Sequence, residues 1–180
     1  MCGYTVLWIS CLLFFVAALL KTRLLLFSLP MNIVLVEPEI PQNTGAAGRL
    51  ALATESTLHL IKPLGFSIDE KTVRRTGLDY WRDIDLKVWE NIEEFHAANP
   101  EARLWFLSTK ASQGIWDVKF EEDDFLLFGR ESKGLPESWI FGFPESAIKI
   151  PMRENSTRSL NLATSVAIVL YEAERQLSLR

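Results

Sequence analysis

Cysteine is nearly absent from this 180-residue chain, and both copies, Cys2 and Cys11, lie in its first 30 positions. Residues 31–180 hold no thiol, which excludes disulfides, cysteine-ligated zinc and cysteine nucleophiles there. Histidine is as scarce. His59 sits in an alternating strand pattern and His96 in an exposed helix, neither beside a metal-ligand neighbour, so both read as structural and no metal site is expected. Acidic residues are missing from positions 1–30, where Lys21 and Arg23 are the only charges. Without those two bases, residues 31–180 carry 17 bases against 23 acids, a net charge of −6. That balance excludes a generic nucleic-acid coat. It leaves room for a local basic patch, because binding follows charge distribution rather than the sum. Apolar residues at 48% and charged residues at 23% exclude a disordered or collagen-like chain.

Residues 1–30 are a separate compositional block. Their longest apolar run, Val6–Leu20, has 15 residues, short of the roughly 20 needed to span a bilayer. No basic segment precedes it and no small-residue cleavage site follows, as a secretory signal would require. Met31 stands directly before a clean strand pattern, so the block reads as a start assigned too far upstream, with a membrane anchor or a signal peptide as alternatives. The fold is expected in residues 31–180, as a single domain with no membrane segment.

Those residues alternate strand and helix. Asn32–Val36 is a continuous apolar run, the mark of a strand buried on both faces. Two prolines in Glu37-Pro-Glu-Ile-Pro-Gln42 forbid regular structure. Asn43 and Thr44 then offer N-cap side chains to a helix running to about Thr54. Further strands are expected at Thr57–Ile61, Leu86–Trp89, Leu104–Ser108, Phe125–Phe128 and Ala147–Ile150. Helices are expected at Asp69–Arg75, Asn91–Ala98 and Ser159–Leu177, the last apolar almost all round from Leu162 to Leu170. Such alternation implies a parallel α/β sheet flanked by helices.

Three segments could carry chemistry. Pro41-Gln-Asn43-Thr-Gly45-Ala-Ala-Gly48-Arg49 opens a helix, where N–H groups can receive an anion. The dinucleotide fingerprint needs a third glycine, however, and the plain alternative is two glycines serving a tight turn and close helix packing. Phe128-Gly129-Arg-Glu131-Ser-Lys-Gly134-Leu-Pro136 runs from a buried strand into a loop of glycines and charges, where open α/β sheets place ligand sites. Glu131 is an acid or orienting group there, or a cap for a helix starting near Pro136. Ile150-Pro-Met152 leads to Ser159-Leu-Asn161 at the last helix. Ser159 reads as its N-cap, and Asn161 is harder to explain by capping.

In this order the segments resemble the SPOUT (α/β-knot) class of RNA methyltransferases. Within it the chain is most similar to the tRNA (cytidine/uridine-2′-O)-methyltransferases of the TrmL type. Glu37-Pro-Glu-Ile-Pro-Gln-Asn-Thr-Gly45, Pro63-Leu-Gly-Phe66 and Arg74-Arg-x-Gly-Leu-Asp-Tyr80 match that subgroup, and the likeness spans residues 31–180. The loop between Met152 and Ser159 is a residue longer than usual. The resemblance implies a C-terminal deep trefoil knot that binds S-adenosylmethionine, with Leu107, Gly129, Ile150 and Ser159 lining the cofactor. It implies Arg49 as the catalytic arginine, with Asn43, Glu131 and Asn161 orienting it and the ribose. Lys71, Arg74, Arg75 and Arg82 would grip tRNA phosphates, and Tyr80 or Trp81 would stack a base. A cytoplasmic homodimer follows, its last helix at the interface and Tyr171 close to the active site. The substrate would be the wobble nucleotide of a leucine tRNA. Two rivals stand beside this: an α/β enzyme holding a phosphorylated ligand at Gly45–Arg49, and a non-catalytic RNA-binding module of the same fold.

Overall fold

A computed structural model of the chain describes residues 30–67, 79–153 and 158–178. Its strands are β1 (Asn32–Val36), β2 (Thr57–Ile61), β3 (Leu86–Trp89), β4 (Leu104–Leu107), β5 (Gln113–Gly114), β6 (Phe125–Phe128) and β7 (Ala147–Lys149). The helices are α1 (Pro41–Ala53), α2 (Ile92–Ala98), α3 (Glu137–Gly142) and α4 (Leu162–Ser178), with a 3-10 turn at Asp79–Asp83. All seven strands join one parallel sheet in the order β3-β2-β1-β6-β4-β7-β5. Chain direction across the sheet reverses between β1 and β6, and such a switch point opens a crevice at the carboxyl ends of the strands.

Each sheet face has its own apolar layer, because neighbouring residues of a strand point opposite ways. Ile33, Leu35, Leu58, Leu60, Leu126, Phe128 and Ile148 meet Ala47 and Ala51 of α1 and Leu162, Val166, Val169 and Leu170 of α4. On the opposite face Val34, Val36, Ile61, Phe106, Phe125 and Leu127 meet Phe95 of α2 and Leu135 and Ile140 beside and within α3. The sheet is thus sandwiched between helix pairs. His59 lies in the second layer, fully buried, and accepts a hydrogen bond at Nδ1 from Trp89 Nε1 at 3.1 Å. Its Nε2 therefore carries the proton and donates to Asn32 Oδ1 at 3.1 Å. Both ring nitrogens are spent on structure, as expected for this histidine.

Several local expectations need correction. β5 has no counterpart in the sequence reading, since two residues make no hydropathy pattern. The first helix starts at Pro41, with extended Ile40 as its N-cap and no cap from that residue's side chain, so Asn43 and Thr44 lie inside it. The last helix starts at Leu162. Asn161, rather than Ser159, caps it by accepting from Thr164 N at 3.3 Å. That helix is not buried all round: Thr164, Ile168, Tyr171 and Arg175 form an exposed stripe. The helix expected at Asp69–Arg75 lies outside the described residues, as do Lys71, Arg74 and Arg75. Among the described residues no helix is long and apolar enough to cross a membrane.

Candidate active site

The carboxyl ends of β4, β6 and β7 release three loops that enclose a cavity of about 470 Å³. Leu107 to Lys110 form one wall, Gly129 to Leu135 a second, and Ile150, Met152 and Ser159 to Leu162 a third. Ile40 and Asn43 close it from the α1 side. The walls combine apolar Leu107, Ile150 and Met152 with hydroxyls and amides, the mixture small-molecule sites use for affinity and orientation. Leu107, Gly129, Ile150 and Ser159, expected from sequence to share a ligand, all line this one space.

Three of the four residues assigned to catalysis form a continuous hydrogen-bonded row. Asn161 Nδ2 donates to Asn43 Oδ1 at 2.9 Å, and Asn43 Nδ2 donates to Glu131 Oε1 at 2.9 Å. Glu131 also accepts from the backbone N–H of Glu39 (Oε2, 2.8 Å) and Ile40 (Oε1, 3.2 Å). Its carboxylate therefore caps the start of α1 from about 90 positions downstream, and not the helix after Pro136. Placing an anion at a helix N-terminus is favourable by roughly 0.3–1 kcal/mol, and up to about 2 when partly buried. With those N–H groups occupied, Pro41 lacking one, and Asn43 and Thr44 N–H directed to the Ile40 carbonyl, α1 has little left for a phosphate. The rival reading of a phosphorylated ligand at Gly45–Arg49 loses its physical basis.

Gly48 of that segment serves close packing, as the plainer alternative held for it. A Cβ on Gly48 would stand 2.6 Å from Ile84 Cδ1 and 3.1 Å from Trp81 Cζ3, so the 3-10 turn can lie directly on α1. Gly129, which lines the cavity, also answers a demand of the fold. A Cβ there would fall 2.1 Å from the carbonyl carbon of Gly134 and 2.2 Å from Leu135 N. The loop's own backbone demands this glycine before any ligand does. Gly134, at φ +71°, turns the loop back, and its N–H donates to the Arg130 carbonyl at 2.8 Å.

Arg49 and Tyr171 do not line the cavity. The Arg49 guanidinium lies over the Tyr80 ring, 4.6 Å from its centroid, and the Tyr80 hydroxyl donates to the Gly45 carbonyl at 3.0 Å. Tyr80 thus has protein partners at one face and at its hydroxyl. Arg82 is exposed on the same 3-10 turn, and Tyr171 is 51% exposed on α4. Sequence reasoning missed Ser108, Lys110 and Ser132, all lining residues. A polar Ser-Thr-Lys run straight after a buried strand was the available signal for the first two. Lys110 is already ion-paired with Glu137. No His/Cys/Asp/Glu cluster among the described residues could hold a metal.

Comparison with known proteins agrees with this geometry. The SpoU rRNA methylase family's sequence profile matches residues 30–171. The tRNA (cytidine(34)-2′-O)-methyltransferase of Methylovorus glucosotrophus is 47% identical over 146 residues, covering 81% of this chain and 94% of its own. A structure described as giving insights into 2-OH methylation of C/U34 on tRNA is 44% identical, with a TM-score of 0.77, covering 83% of this chain and 97% of that one. An AdoMet-bound rRNA methyltransferase from Sinorhizobium meliloti shares the fold at 24% identity and a TM-score of 0.69, covering 82% of this chain and 57% of that one. The parallel sheet, the three-loop cavity and these matches lead to one conclusion: the chain belongs to the SpoU RNA methylase family.

Proposed function

We propose that residues 31–180 transfer a methyl group from S-adenosylmethionine to the ribose 2′-hydroxyl of nucleotide 34, the wobble position, of a leucine tRNA. The observation that carries this is the cavity at the sheet's switch point, crossed by the Glu131–Asn43–Asn161 row, in a chain closely related to enzymes named for that reaction. The cavity suits the cofactor in size, being within the roughly 300–1,000 Å³ of small-molecule sites. Leu107, Ile150 and Met152 offer apolar surface to an adenine, while Ser108, Ser132 and Ser159 offer polar groups to its ribose and amino acid. Bound there, the cofactor supplies a sulfonium methyl group already reactive toward an oxygen nucleophile.

The chain then has to align and polarise a hydroxyl. Asn43 and Asn161, fixed through Glu131, hold the ribose. Arg49 stabilises negative charge developing on the 2′-oxygen or grips the adjacent phosphate; a guanidinium keeps its proton and makes a poor base. Because Arg49 and Tyr171 lie outside the cavity of a single chain, the reading includes a homodimer joined across α4, supported by exposed Ile168 at 37% and Tyr171 at 51% on one side of that helix. It also includes a knotted C-terminal segment, supported by β7 lying between β4 and β5 while α4 packs back on α1 and β6. Lys71, Arg74, Arg75 and Arg82 are assigned to tRNA phosphates.

Nucleoside mass spectrometry of tRNA from cells lacking the protein tests the whole reading: 2′-O-methylation at position 34 should vanish and return on complementation. Calorimetry supplies the second test, with heat expected for S-adenosylmethionine and none for NAD. Unchanged nucleosides together with no S-adenosylmethionine heat would favour the non-catalytic RNA-binding alternative.

A further inference from the structure

Two acidic side chains of neighbouring loops grip each other's backbone. Glu131 accepts from Glu39 N at 2.8 Å, and Glu39 in return accepts from Ser132 N at 2.9 Å through Oε2 and from Ser132 Oγ at 2.8 Å through Oε1. Beside them Arg130 is ion-paired with Glu37. Three consecutive residues of the cavity wall, 130 to 132, are thereby tied to the segment between β1 and α1. Ser132 lines the cavity, whereas Glu39 does not. Glu131 is already occupied by α1, so the Glu39–Ser132 pair is a second, separate fastening on the same wall.

We infer that Glu39 is a positioning residue, which sets the cavity wall for its ligand by holding Ser132 through two hydrogen bonds. This rests on the cavity being the S-adenosylmethionine site. Ser132 sits between Glu131, fixed at α1, and Gly134, whose positive φ turns the chain, so its free play is short but unconstrained on the cavity side without Glu39. Glu39 removes that play in advance, and preorganisation of this kind is read in affinity.

Binding of S-adenosylmethionine to the full chain and to Glu39→Ala, Glu39→Gln, Ser132→Ala and the double alanine variant separates this role from simple support. Failure of the unmutated chain to bind would strike the functional reading itself and leave no cofactor wall to position. Given binding, Glu39→Ala should weaken it about tenfold, the scale of losing a hydrogen bond to a charged group, with kcat at saturating substrates near normal. Glu39→Gln should restore most of it, since its oxygen accepts from Ser132 N while its amide donates to Ser132 Oγ. The double variant should lose less than the sum of the singles. Unchanged affinity with only a lower Tm, a Gln variant no better than Ala, or additive losses would each overturn the inference.

Discussion

Arg49 is held over Tyr80 and faces solvent, so its substitution separates catalysis from ligand binding. Arg49→Ala should leave S-adenosylmethionine affinity nearly unchanged in calorimetry while methyl transfer falls about 100- to 1,000-fold, roughly 2.7–4 kcal/mol. Arg49→Lys keeps the charge and loses the planar donor fork. Partial rescue by lysine means point-charge stabilisation, and no rescue means bidentate positioning. Near-normal turnover of Arg49→Ala at saturating tRNA would leave only the stacking on Tyr80 as its role. His59 makes a different prediction. Burial, helped by the Lys87 charge and opposed by Asp85, pushes its pKa down to about 4. The unfolded chain therefore binds the proton more readily, and the contribution of neutral His59 is whole above about pH 6.5 and declines as pH falls toward 4. By pH 5 that is a loss of about 2 kcal/mol. Urea midpoints at pH 7.5 and 5 should consequently diverge less in His59→Gln than in the unmutated protein.

At the scale of elements, α4 carries an unusual burden. Glu174 is 6% exposed, and among the described residues neither carboxylate oxygen has a hydrogen-bond partner. Desolvation raises its pKa, so the folded chain holds that proton more tightly than the unfolded one. Its effect on stability is accordingly unfavourable at high pH and is relieved as pH falls through the raised value. Glu174→Gln should stabilise the protein at pH 8, with a gain that shrinks on acidification; chemical denaturation at pH 8 and 5 measures both. The elements show what a one-dimensional pattern can and cannot contain. β1 and β6 are legible because a strand covered on both faces is a continuous apolar run, and Asn32–Val36 needs no context to say so. The start of α1 is not legible, because its cap is Glu131, a residue no local window includes. Asn161 as the cap of α4 is not legible for the opposite reason: Ser159, two residues earlier, fits the same local rule equally well.

For the molecule as a whole, two of the cavity's three walls are legible as motifs, whereas the wall from Leu107 to Lys110 carries none; the four lining residues that share one space follow from the resemblance. Arg49 is placed with the catalytic residues by resemblance, and no local signal says that, six residues along α1 from Asn43, it stands outside the cavity. Met31 is fully buried and its carbonyl accepts from Thr57 N at 3.0 Å, so that residue is already part of the core. A protein starting at Met31 should fold, elute as a dimer in sedimentation or light-scattering measurements, and methylate as well as the longer chain. Membrane association that is required for activity would support the anchor reading of residues 1–30 instead.

The position of β1 has a consequence for how the protein comes into being. β1 is the first strand made among the described residues and lies inside the sheet, third of seven, with β2 on one side and β6 on the other. Its register places Asn32 opposite Thr57 and also opposite Phe125. A chain leaving the ribosome can complete one flank early, but the other flank, and the carboxylate that finishes the first helix, arrive only when residues 125–131 emerge. Contacts so distant in sequence slow folding, because the intervening chain must be closed before they form. No earlier portion of the polypeptide is a domain in miniature. Synthesis must be roughly three-quarters complete before this interior strand has both its neighbours, and until then the growing chain presents an open, apolar strand edge to whatever meets it.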